Sequence, residues 1–216
     1  MKKVIIALAA MAASTGALAG PSWTYIDGAY LRGSSAEQAG TDKVQGYELA
    51  GSFGFANIWH VAGAYGAAEN DVGPNAAEIE DYYTITGGVH PAITDNTDFV
   101  AEIGYTGWSL LNVDVANGGA SADATAYNLT VGVRSMLSDR FELNAFLTYQ
   151  AGDTDSSAAT TGDKFQVFAP SVGGQYFFTD NFSVNLAYTW GDVQSSVVSG
   201  GLGTADTGRF GVRWSF

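Results

Sequence analysis

The chain contains no cysteine, which excludes a disulfide framework and any thiolate-ligated metal site. Proline occurs only four times in 216 residues. Basic side chains are also scarce: 9 Lys and Arg stand against 22 Asp and Glu, a net charge of −13. That balance argues against nucleic acid as a partner, because a nucleic-acid surface needs clustered positive charge. Long hydrophobic runs are missing too. Beyond the N-terminus no segment comes near the roughly 18 consecutive apolar residues of a transmembrane helix.

What is present begins with an export signal. Lys2 and Lys3 precede the apolar run VIIALAAMAA (residues 4–13), and small residues then lead to Ala17-Leu18-Ala19. This is the layout of a secretory signal peptide with an A-x-A cleavage site, too short to span a bilayer as a helix. Residues 1–19 are therefore expected to be a cleaved signal peptide, with a single domain over 20–216. Loss of the two lysines leaves 7 basic against 22 acidic side chains, a net −15. Together with 28 glycines and 28 aromatic residues, the composition reads as β-rich. An exported chain of this kind is either a soluble β-protein or a membrane β-barrel.

Strict alternation of apolar and polar residues decides between them. It runs through Tyr47–Phe55, Trp59–Tyr65, Tyr83–Val89, Phe99–Tyr105, Tyr127–Arg134, Phe141–Tyr149, Phe182–Trp190 and Thr207–Phe216, the period-two signature of strands. Two further segments are less regular. WTYIDGAYLR (23–32) has aromatics on both parities, and FQVFAPSVGGQYFF (165–178) shifts phase around Pro170 and Gly173-Gly174, where a bulge is expected. The total is ten, the even number typical of bacterial outer-membrane barrels. Connections alternate as well. Tight turns at 56–57, 94–96, 138–140 and 179–181 alternate with long loops at about 33–43, 68–79, 109–124, 151–164 and 191–205. In outer-membrane barrels the tight turns are periplasmic and the long loops extracellular. The expected fold is all-β: a ten-stranded antiparallel up-and-down transmembrane β-barrel in the outer membrane of a Gram-negative bacterium.

Polarity orients the faces. A charge on the lipid side at mid-bilayer costs about 2–4 kcal/mol, so Glu48, Glu102, Arg134, Glu142, Arg209 and Arg213 are assigned to the lumen. Trp23, Tyr47, Trp59, Tyr65, Tyr105, Tyr149, Tyr188, Trp190 and Trp214 lie near strand ends, where aromatic girdles meet the headgroups. A lipocalin-type soluble barrel would carry its apolar face inward instead.

These features resemble a family. The signal peptide, the alternating body, the terminal RFGVRWSF and its aromatic last residue are similar to the small outer-membrane β-barrel proteins of the OmpA-type membrane-domain superfamily. The stretches YIDGAYLR, DNTDFVAEIGYTGW and YNLTVGVRSMLSDRFELNAFLTYQ also resemble a group of ten-stranded barrels from plant-associated bacteria. The resemblance implies that the C-terminal aromatic, Phe216, is read by the barrel-assembly machinery.

Several constellations could carry function. A register setting Glu102 opposite Arg134, with Glu142 across the turn, would make either an ion-pair brace or a charged constriction. A ten-stranded lumen is only slightly wider than the eight-stranded ones that side chains fill. His60 and His90 fall on inward positions of neighbouring strands as possible cross-strand partners toward the periplasmic end. No third ligand for a metal is apparent; the pair reads as polar lumen filler or as a titrating pair. His60 precedes Val-Ala and His90 precedes Pro-Ala, so no base–nucleophile pairing suggests an enzyme, and no cofactor is implied. The acidic loops carry Glu69, Asp71, Glu78, Glu80 and Asp81, then Asp153, Asp155 and Asp163. Asp153-x-Asp155 only partly echoes a calcium loop, and a solvated face meeting lipopolysaccharide is the simpler reading. The chain is thus expected to be a monomeric, non-enzymatic barrel with a structural or surface-interaction role and a largely plugged lumen. The alternative is a narrow porin-like channel preferring cations, drawn in by the acidic mouth.

Overall fold

The computed structural model describes residues 21–35, 43–70, 78–111, 122–156, 163–195 and 205–216. Among these residues all regular structure is strand. The segments are β1 (Tyr25–Ser35), β2 (Lys43–Phe55), β3 (Trp59–Asn70), β4 (Glu78–Val89), β5 (Ala92–Thr94) and β6 (Thr97–Leu111). They continue with β7 (Ala122–Ser138), β8 (Phe141–Ser156), β9 (Asp163–Phe177), β10 (Phe182–Thr189), β11 (Asp192–Ser195) and β12 (Ala205–Ser215). Each pairs antiparallel with its neighbours, and β1 pairs with β12, so the sheet closes. Twelve segments make ten staves. His90 and Pro91 interrupt one stave between β4 and β5, and Trp190 and Gly191 interrupt another between β10 and β11. The pairings of β1 with β12 and of β9 with β10 close the spanning part of the sheet, the condition for a sheet to stand in hydrocarbon.

The two faces are inverted relative to a soluble protein. Facing out are Ile103 (70% exposed), Tyr127 (75%), Leu186, Phe210, Val212 and Trp214, while Asp27 and Glu142 inside are fully buried (0%). Burying carboxylates while exposing a continuous apolar surface is untenable in water but required against lipid. This excludes the lipocalin-type arrangement.

An aromatic girdle circles the barrel toward the long-connection rim. Every stave contributes outward-facing rings: Tyr30, Tyr47, Tyr65, Tyr83, Tyr105, Tyr127, Tyr149, Phe168, Tyr188 with Trp190, and Phe210. Cross-strand register links Tyr30 to both Tyr47 and Phe210, Tyr65 to Tyr83, Tyr105 to Tyr127, and Tyr149 to Phe168. A second set, including Phe55, Trp59, Phe99, Phe141 and Trp214, lines the tight-turn rim. The eight-residue step from Phe141 to Tyr149 spans roughly 20 Å at about 3.3 Å per residue and a 40° tilt, close to the band height of outer-membrane barrels. Trp23 breaks the expected pattern. It precedes β1 and turns into the lumen, where it is buried, rather than joining the girdle.

Two local expectations are corrected. β9 runs through Pro170 with no register shift against either neighbour. Its buried and exposed residues alternate without a change of phase, Phe165, Gly173, Gln175 and Phe177 inward and Phe168, Val172 and Tyr176 outward. The irregularity sits on the partner stave instead. The carbonyl of Pro170 accepts from Trp190 N at 2.9 Å. In an antiparallel pair a residue's N–H and C=O point to the same side, so the N–H that proline lacks faces the gap between β10 and β11. Second, the strands reach further into the long connections than the alternation alone suggested, as in β7 and β8, where Asp123 pairs opposite Asp155. Polar residues extend a ladder once its neighbours hold the register.

Candidate functional site

Inward-facing side chains gather in layers, and the lowest surrounds Trp23. Its indole N–H donates to Asp98 Oδ2 at 2.7 Å. The imidazoles of His60 and His90 stack on it at centroid distances of 4.5 and 4.2 Å. The two imidazoles are themselves 5.3 Å apart, far less than the sum of those distances, so they do not flank the indole on opposite faces. The Arg134 guanidinium carbon lies 4.4 Å from the indole centroid, a cation–π contact. Arg134 is fixed in turn by two hydrogen bonds to Glu142, Nε to Oε1 at 2.7 Å and Nη2 to Oε2 at 2.9 Å, and its Nη1 donates to the Ser22 carbonyl at 3.1 Å. Pro21, next to Ser22 in the chain, is fully buried.

The register explains who meets whom. Arg134 sits opposite Asp98 on β6 and Asn144 on β8, while Glu102 sits opposite Thr130. The expected Glu102–Arg134 pair is therefore not formed. Arg134 turns toward the tight-turn rim and takes Glu142, and Glu102 instead meets His60 Nε2 at 2.7 Å. His60 is registered with Gly88 rather than His90; the two rings meet diagonally because His90 lies at the break after β4. His90 Nδ1 is 3.9 Å from Asp98 Oδ2. A side chain at position 88 would collide with this cluster: a Cβ there would stand 3.0 Å from His60 Cε1 and 2.7 Å from Glu102 Cγ.

A second layer knots the seam between the first and last staves. Asp27 accepts from Arg213 Nε and Asn185 Nδ2, both at 2.8 Å, and from Arg209 Nη2. Arg209 also donates to Asn185 Oδ1 and, through Nε, to Glu48 Oε1 at 2.9 Å. Glu48 then accepts the Tyr82 hydroxyl at 2.7 Å. Arg213 stacks over Tyr25 with its guanidinium carbon 3.7 Å from the ring centroid. Above these lie hydroxyl and amide contacts, with Asn128 donating to Thr106 at 2.6 Å and Thr84 meeting Thr106 at 2.7 Å. Higher still, Phe165 packs edge-on to Trp108 above Ala124 and Ala126.

All six charged residues assigned to the lumen from parity, and both histidines, are on the inner face. Asp27, Asp98, Asn185 and Tyr82, which the parity argument did not name, complete their networks, together with Trp23, which leaves the expected girdle for the lumen. Parity could have found Asp27, which shares its inward register with Arg213; the aromatics on both faces of that segment hid it. Asp98 reads as a turn residue in TDNTDF. Among the described residues no group of three or more His, Asp or Glu is placed to hold a metal ion. Asp153 and Asp155 are exposed on β8, whereas residues 71–77 and 157–162, and the side chains of Glu69, Glu78, Glu80 and Asp163, lie outside the described set. Phe216 donates its backbone N–H to Thr24 O at 3.0 Å, holding the chain end against the start of β1.

No protein-family model matches the chain, and no curated protein matches it in sequence. Solved structures of similar shape include the β domain of the Bordetella autotransporter BrkA, at 11% identity and TM-score 0.49 over 89% of this chain and 98% of that one. The KdgM porin is similar at 12% identity and TM-score 0.45 over 89% and 99%. Ail, the attachment invasion locus protein of Yersinia pestis, is similar at 14% and 0.40 over 89% and 95%. At such identities the likeness concerns fold. The closed sheet, the polar interior, the lipid-suited exterior and the aromatic girdles carry the conclusion: the chain folds as a small outer-membrane β-barrel.

Proposed function

We propose that this barrel serves a structural or surface-interaction role, with a lumen closed to steady solute flow, and that it is not an enzyme. The observation that carries this reading is the seating of Trp23, held across the periplasmic mouth by groups from four staves, with the Asp27–Arg209–Glu48 knot above it. Opposed charges that bind one another leave little unpaired charge to draw an ion through. Both histidines are occupied with Trp23 and carboxylates at the tight-turn end, an arrangement that favours bracing over catalysis. The acidic outer connections would then face lipopolysaccharide and the surroundings, and Phe216 would serve assembly, as the family resemblance implies.

A narrow cation-preferring channel is the second reading, favoured by one observation. The inner face carries Asp27, Glu48, Asp98, Glu102 and Glu142 against Arg134, Arg209 and Arg213, an acidic excess suited to cations. Planar-bilayer recording of the refolded protein separates the two. The closed reading predicts no steady unitary conductance. A stable conductance in the native protein that changes in Arg134→Ala or Glu102→Ala would overturn it in favour of the channel.

A further inference from the structure

The groups around Trp23 have the makeup of a recognition site. Among the described residues, the side chains against its ring belong to the barrel wall, and together they match the N–H, the flat face and the π-cloud of an indole. Asp98, itself buried, accepts the ring N–H at 2.7 Å. His60 and His90 supply flat surfaces inclined to the indole by 27° and 12°. Arg134 supplies a cation over its π-face at 4.4 Å, and its fork is immobilised by Glu142, which is fully buried. The ring they hold belongs to a segment outside the sheet, joined to β1 through Thr24 alone.

We propose that the periplasmic mouth is a built binding site for an indole or a similar planar N–H heterocycle, and that the chain occupies it with its own Trp23. The short tether gives this internal ligand a high effective concentration. Free indole therefore competes poorly with the native side chain and gains access where Trp23 is removed or drawn out. The inference is separate from whether the lumen conducts, because its test reads binding.

The test is the unfolding midpoint of the refolded Trp23→Ala barrel in detergent, titrated with indole, with 1-methylindole, and with indole against the native protein as the baseline for partition into detergent. A saturable rise in midpoint with indole, absent in the native protein, is expected. Binding of 1-methylindole, which cannot donate to Asp98, should be roughly tenfold weaker, the loss of one charge-assisted hydrogen bond. Trp23→Phe, which keeps a ring in place, should show no response. If Trp23→Ala refolds only when indole is supplied, the site is equally supported. Equal effects of indole and 1-methylindole, no shift beyond the native baseline, or failure of Trp23→Ala to refold even with indole while Trp23→Phe refolds would each overturn it.

Discussion

Arg134 illustrates how a single side chain in this lumen answers several demands. It neutralises the fully buried Glu142, caps the indole of Trp23 and takes the Ser22 carbonyl. Removing one member of a buried ion pair leaves the other uncompensated, which costs about 3–5 kcal/mol, while replacing both with apolar residues of similar volume is often close to neutral. Arg134→Ala is therefore expected to lower the barrel's stability by about that amount. The double variant Arg134→Met with Glu142→Leu should recover much of the loss, both read by urea unfolding in detergent. Parity alone placed Arg134 and Glu142 inside, because lipid tolerates neither. Choosing between Glu102 and Glu142 as partner needed the register, and register depends on turn geometry that single residues do not reveal.

At the scale of elements, the seam between β1 and β12 joins the two ends of the chain. Eleven registered positions run from Tyr25–Ser215 to Ser35–Ala205, and the Asp27 knot ties the seam from within. Gly211 makes room for it between Arg209 and Arg213. A Cβ at that position would lie 2.7 Å from Asn185 Oδ1 and 2.9 Å from Asp27 Oδ1, so Gly211→Ala must push the knot apart. It should cost about 1–3 kcal/mol, the usual range for overpacking, and show as a lower temperature for loss of the compact, heat-modifiable band on gels. Gly28→Ala, on the outward face of the same seam, meets nothing within 4 Å and should leave that temperature nearly unchanged. Most staves were legible in the sequence because each alternates cleanly between lipid and lumen. β9 misled because its glycines and Pro170 blur an alternation that the structure keeps intact. Trp23 misled because an aromatic next to a strand end is as well suited to a girdle as to a plug; only the inward set of His60, His90, Asp98 and Arg134 distinguishes the two.

For the whole molecule, the closed lumen proposed above rests on the two charge networks and the Trp23 layer, in an interior that ten strands leave slightly wider than side chains readily occupy. In that reading the acidic excess on the inner face is a structural charge held by guanidiniums, a phenol hydroxyl, an imidazole and an indole N–H. Trp23 is the element most easily removed without touching the barrel wall. Whether its ring closes the periplasmic mouth is read from paired planar-bilayer recordings of the native protein and Trp23→Ala. The native barrel should be silent and Trp23→Ala should show a steady, small unitary conductance once the indole is gone. A native barrel that conducts steadily, with the same amplitude in Trp23→Ala, would contradict that closure.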